Sequence, residues 1–265
     1  MDERDSFESV DTPAGTAKVI TLHNRHDFEV FVRCMTAAGH DHRTHVPASM
    51  GAMTFTVFNW PKINAHKEEF FRKKQEEGVI FPDWDAEIRH FTSVKENYQD
   101  MLIVLSYGPY SGVSAGRVNE LLPDRGSQPL SEEEWTETSW NIRKYHELTH
   151  FVCRKLYPDR IDAIWDELTA DAVGLFAALG EYSRDLEELF LGINDCRYTG
   201  GRLENYTAEG ADLDHLAAAA DTVLRRFETA IGSAQSTDIF DIMIMLEELH
   251  DSCAHILQNN NGVHA

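Results

Sequence analysis

The sequence is short of positive charge. Against 45 Asp and Glu residues stand only 24 Lys and Arg, a formal net charge of −21 over 265 residues. A chain so acidic repels anionic polymers and surfaces, which argues against nucleic acid and against anionic membranes as partners. No run of eighteen apolar residues occurs, so no segment reads as a bilayer span. The opening residues, Met1-Asp2-Glu3-Arg4-Asp5, are acidic where a secretory leader carries a basic segment and then an apolar one. The expected location is therefore cytoplasmic. Cysteine is scarce too. Cys34, Cys153, Cys196 and Cys253 stand far apart with no Cys-x-x-Cys pair, a pattern of reduced thiols rather than a disulfide frame or a thiolate metal site. Neither an internal repeat nor a low-complexity segment is visible.

What is present is an apolar content of 42%, enough to bury a sizeable core in one domain. Met1 to Ala17 is acidic and aperiodic, with Pro13 and Gly15, and is expected to be a disordered tail. Residues 18–265 are expected to form a single α+β domain, a mixed part over 18–130 and a helical part over 131–265. Strands are expected at Lys18–Leu22, Met53–Trp60 and Met101–Tyr107, with helices at His26–Ala38 and Asn64–Glu77. Ser131 followed by Glu134 is a capping box that starts a helix reaching Leu156. A second helix is expected from Pro158 to near Gly180. Further helices are expected at Ser183–Leu191, Ala211–Ala230 and Thr237–Leu257, with a loop over Asn194–Glu209.

The chemistry-bearing stretch is His146-Glu147-Leu148-Thr149-His150. Histidines at i and i+4 lie one above the other on a helix face, so both imidazoles reach one metal ion. Glu147 is offset by about 100° around the helix, which puts it beside the metal, where it takes a proton from a bound water. The next helix carries Glu167 and, four residues on, Asp171. If the two helices form an antiparallel hairpin turning near Tyr157, Glu167 comes level with the histidines as a third ligand. Asp171 then reaches the second ring nitrogen of His146. Glu167 also lies nearer than Asp166 to the apolar stripe of Ile161, Ile164, Trp165, Leu168, Ala172, Leu175 and Leu179, so it is the ligand of choice.

His-Glu-Leu-Thr-His followed by Glu-Leu-Thr-Ala-Asp resembles the gluzincin pattern of zinc metallopeptidases over about Trp140 to Gly180. The resemblance implies a zincin-like fold and one zinc ion per chain held by His146, His150 and Glu167. It also implies Glu147 as general base and Asp171 as the group that orients His146. Sixteen residues separate His150 from Glu167, a short spacing for that family. The expected function is hydrolysis of a peptide or protein substrate by a zinc-bound water. The alternative is a non-enzymatic protein with a structural or vestigial zinc site that acts by binding a partner.

Three further expectations complete the reading. A hydrolytic site needs a donor for the developing oxyanion, and the Gly200-Gly201 loop offers Tyr206 first and Arg202, as a possible substrate contact, second. Met101–Tyr107 is the strand expected to receive an extended peptide and, with Gly108, to border the cleft. His40, His42 and His45 are read as a polar loop.

Overall fold

The computed structural model describes residues 2–36, 45–122, 129–160 and 162–258. It is a mixed α+β structure in which a small sheet is covered on one face by a single helix and on the other by the helical half. Strands β1 (Ser6–Thr12) and β2 (Gly15–Leu22) form an antiparallel hairpin with Ser6 opposite Thr21. Helix α1 (Arg25–Thr36), strand β3 (Ala52–Phe58) and the charged helices α2 (Trp60–Glu76) and α3 (Trp84–Phe91) follow. Strand β4 (Gln99–Ser106) completes a four-stranded sheet of order β1-β2-β4-β3. It runs parallel to β2 and antiparallel to β3.

β4 has a partner on each side and is apolar on both faces, as an interior strand should be. Leu102 and Val104 pack with Phe28 and Val32 of α1, while Ile103 and Leu105 pack toward the helical half. Its two neighbours overturn the expectation that Met101–Tyr107 receives a peptide, because no edge of β4 is free. The unpaired edge on that side of the sheet, among the described residues, belongs to β3.

The expected tail is also corrected: most of it is strand. β1 exposes much of its surface, so its order comes from main-chain pairing with β2 and not from an apolar face that composition could reveal. Its turn is closed by Thr12 Oγ1 donating to the Gly15 carbonyl at 2.6 Å, with Gly15 at φ +104°. Helix α2 begins earlier than expected because the Asn59 side chain caps it and Pro61 fits its first turn.

After the short helix α4 (Ala115–Leu121), the capping box at Ser131 and Glu134 starts helix α5 (Glu132–Leu156). Helix α6 (Ala163–Leu179) begins later than expected. Pro158 lies in the connecting turn, and the helix is capped instead by Asp162, which accepts from the amides of Ile164 and Trp165. Ile161, placed in the apolar stripe above, lies outside the described residues.

α5 and α6 pack antiparallel. Then come α7 (Arg184–Leu191), a two-residue hairpin β5 (Ile193–Asn194) and β6 (Arg197–Tyr198), and helices α8 (Leu213–Gly232), α9 (Ile239–Glu248) and α10 (His250–Gln258). The expected loop Asn194–Glu209 is thus partly ordered into the hairpin and a 3-10 turn at Arg202–Tyr206, and the last expected helix is two. The main core lies between the sheet, α5, α6 and α8–α10. No helix among the described residues is long and apolar enough to cross a membrane.

Candidate metal centre

Everything in the site depends on how closely α5 and α6 approach. Gly174 of α6 faces the backbone of α5 so tightly that a Cβ there would stand 2.6 Å from the Ile142 carbonyl oxygen. That contact sets the register, and in this register His150 lies against Glu167 and His146 against Asp171.

His146 and His150 are buried, and their Nε2 atoms are 3.1 Å apart. The half-buried carboxylate of Glu167 bridges them, with Oε2 3.5 Å from His146 Nε2 and Oε1 3.4 Å from His150 Nε2. These three residues form a group able to hold a metal ion. Four-coordinate bonds of about 2.0–2.1 Å imply ligand–ligand separations of roughly 3.3–3.4 Å, close to the distances observed.

The electrostatics point the same way. On the far side, His146 Nδ1 lies 2.8 Å from Asp171 Oδ1, so Nδ1 carries the proton and Nε2 offers its lone pair. Two imidazole lone pairs do not sit 3.1 Å apart unless a proton or a cation lies between them. Burial disfavours charge on His146, but Asp171 and Glu167 outweigh it and raise its pKa. Burial likewise works against the Glu167 anion, yet the two histidines hold its carboxyl at about 2. The pocket therefore favours a positive charge at its centre.

Asp171 is completely buried and has three partners. Besides His146, the Tyr110 hydroxyl donates to its Oδ1 at 2.6 Å, and Arg202 forms an ion pair with Oδ2. Burial pushes its carboxyl up, but Arg202 and His146 overcome this and keep it ionised. Arg202 also donates to the Tyr110 hydroxyl at 3.2 Å. It gets there because Gly201 lies flush against the backbone of Gly192, where no side chain fits on either residue. Behind this group Glu187 is fully buried, and burial together with Asp171 raises its carboxyl well above the usual range.

Glu147 stands outside the three-residue group. Its Oε2 accepts a hydrogen bond from Thr54 Oγ1 of β3 at 3.2 Å. Tyr206 lines the same cleft, with its hydroxyl beside Glu167. Burial pushes that phenol far above its ordinary range, and Glu167 adds to the effect, so the hydroxyl keeps its proton. The cleft has a volume of about 460 Å³ and is bordered by Pro47 and Ser49–Ala52 ahead of and entering β3, by Ser111 and by Asn205. Of the expected border at Met101–Gly108, only Ser106, Tyr107 and Gly108 come near, lining a cavity that adjoins this cleft, since β3 lies between the rest of β4 and the cleft.

The site thus gathers all seven residues singled out above, though Arg202 is held by Asp171 and Tyr110. Of the histidine loop only His45 is described, and His40, Asp41 and His42 lie outside the described residues. Tyr110, Thr54 and Arg143 were not anticipated. Arg143 had a signal, since it is three residues before His146 on the same helix face. Tyr110 and Thr54 had none beyond lying near a turn and in a strand.

This is a mixed α+β protein with, among the described residues, a largely buried His-His-Glu cluster of which His146 and Glu167 line a cleft. The chain belongs to a family of unknown function, DUF7005, whose profile matches residues 3–255. No curated protein and no solved structure matches it.

Proposed function

We propose that this chain is a zinc-dependent hydrolase of zincin type that cleaves peptides, with one zinc on His146, His150 and Glu167. The observation that carries this reading is the position of Glu147. Its carboxylate lines a solvent-open cleft together with His146 and Glu167 and acts electrostatically on His146, yet it is not one of the three donors. A purely structural cluster has no use for such a base. Zinc bound there would supply Lewis acidity, polarising a carbonyl and acidifying water.

The rest is the work of the chain's own side chains. Glu147, oriented by Thr54, accepts a proton from the attacking water and returns it to the leaving amine. Tyr206, kept protonated, donates to the oxygen on which charge develops. Asp171, locked by Tyr110 and Arg202, holds the His146 ring with Nε2 facing the centre. The free edge of β3 passes over Glu147 and offers main-chain groups to an extended peptide.

The test is metal analysis of protein purified without chelator, with a peptide-library assay on wild type and Glu147→Gln. About one zinc per chain is expected in both proteins. The variant should lose hydrolysis by at least about a hundredfold, the usual scale for a general base. Absence of zinc, or a variant as active as wild type, would sink the reading.

A further inference from the structure

Arg143 is buried to 6% exposure, yet it has no carboxylate partner among the described residues. Its guanidinium donates only to main-chain carbonyls, those of Ser106 at 2.8 Å and Gly108 and Pro109 at 3.1 Å. Burial is the main cause that brings its pKa down to about 10; Arg202 and Arg25 add to it, and Tyr110 and the more distant Glu147 oppose it without reversing it. A buried charge satisfied only by neutral dipoles is costly, and an incoming anion would offset that cost.

There is room for one. Arg143 lines a cavity of about 550 Å³ that adjoins the metal-centre cleft, together with Arg25, Arg202, Ser49 and Gly51. No acidic side chain lines it among the described residues, in a chain with 45 of them. Of the three arginines, Arg25 is paired with Glu29 and Arg202 with Asp171, which leaves Arg143 as the one without an ion pair among the described residues.

Its position relative to β3 is specific. Gly51, immediately before β3, lies so close that any side chain on it would strike the Arg143 guanidinium. Thr54, three residues further on, touches Glu147. A peptide added to the β3 edge in the antiparallel mode, the better bonded of the two, crosses Glu147 and then runs with its C-terminal side toward Gly51. At about 3.4 Å per residue the step from Thr54 to Gly51–Ala52 spans two to three residues.

We infer that Arg143 forms an anion subsite of the hydrolase, and that its substrates carry a carboxylate about two residues beyond the cleaved bond on the C-terminal side. The carboxylate is either the free C-terminus or an Asp or Glu side chain. This inference rests on the hydrolase reading given above.

Two measurements keep the failure of either separate. In the first, the zinc-loaded full chain is given matched peptides ending two residues past the scissile bond as free acid or as amide. A second pair carries Glu or Gln at that position with an amidated end. Wild type should prefer a carboxylate by at least tenfold in kcat/KM, and the pair that shows the preference identifies its source. Arg143→Gln should collapse the ratio to near one with zinc retained. Because Arg143 also ties down three carbonyls, Ser49→Glu serves as the second variant. It leaves those bonds intact, sits at an exposed position, and places a negative charge in the cavity. It too should abolish the preference. Equal handling of both pairs by wild type, or a preference that survives both variants, overturns the inference. In the second measurement, succinate is titrated calorimetrically into the same proteins. Should no peptide be cleaved, the peptidase reading fails and succinate decides the subsite. Saturable binding to wild type that both variants lose supports it, and no binding to wild type overturns it.

Discussion

A Cβ on Gly174 would stand 2.6 Å from the carbonyl oxygen of Ile142, a main-chain atom that cannot swing away. In an ordinary helix, replacing glycine by alanine stabilises by about 1 kcal/mol. Here the sign reverses. Gly174→Ala should destabilise by about 1–3 kcal/mol, the usual cost of overpacking. Thermal unfolding should show a fall of several degrees. The variant should also bind metal more weakly, because α6 carries both Glu167 and Asp171. An alanine variant as stable as wild type would mean that the helix pair can relax apart without loss.

Metal affinity should separate the carboxylates of α6. Glu167→Gln removes one of three donors and should lower occupancy after chelator competition far more than Asp166→Asn, which lies outside the cluster. Asp171→Asn should fall between them, weakening affinity by about 10- to 100-fold, as expected for a group that orients a ligand. The reverse ranking of Glu167 and Asp166 would assign the third donor wrongly.

Tyr206→Phe keeps the ring and removes only the hydroxyl. Turnover of a cleaved peptide should drop by roughly ten- to a thousandfold with zinc retained, the range for losing one oxyanion donor. Since that hydroxyl also lies beside Glu167, zinc content must be measured on the same sample. Loss of zinc would make Tyr206 a residue that holds Glu167 in place and not a donor to the substrate.

The folded protein should lose stability as pH rises from about 4.5 to about 7, apart from any change at the metal centre. Glu188 is pushed up to about 7 by partial burial and by its hydrogen bond to Asp221, with Arg184 opposing. Its proton is bound more tightly in the folded than in the unfolded chain, whose carboxyl titrates near the ordinary 4.5. The stabilisation is therefore complete below about 4.5 and is lost as pH rises toward about 7. Glu188→Gln preserves a donor to Asp221 and removes the titration. It should flatten this part of the stability profile by about 1 kcal/mol, once solvent screening of a partly exposed side chain is allowed for. An unchanged slope in chemical-denaturation curves between pH 5 and 8 would place the proton elsewhere.

Local signals in the chain determined a good deal. The capping box at Ser131 and Glu134 marks the start of α5 because a helix terminus is satisfied by residues three apart. His146 and His150 share a face because 3.6 residues make a turn, and the apolar run of β4 was legible as a buried strand. Equal rise in two antiparallel helices was enough to bring Glu167 and Asp171 level with the histidines.

What only the tertiary structure decided involves contacts between segments far apart in sequence. β1 is a strand because β2 lies beside it, which its polar composition conceals. Among the described residues β3 and not β4 has the free edge, a matter of strand order that no local pattern encodes. Tyr110 reaches Asp171 across 61 positions and Thr54 reaches Glu147 across 93. Arg143 looks like any helical arginine until the fold buries it among carbonyls, with no ion-pair partner among the described residues. Spacing along one chain specifies which side chains share an element, whereas pairing and burial depend on which elements the whole core brings together.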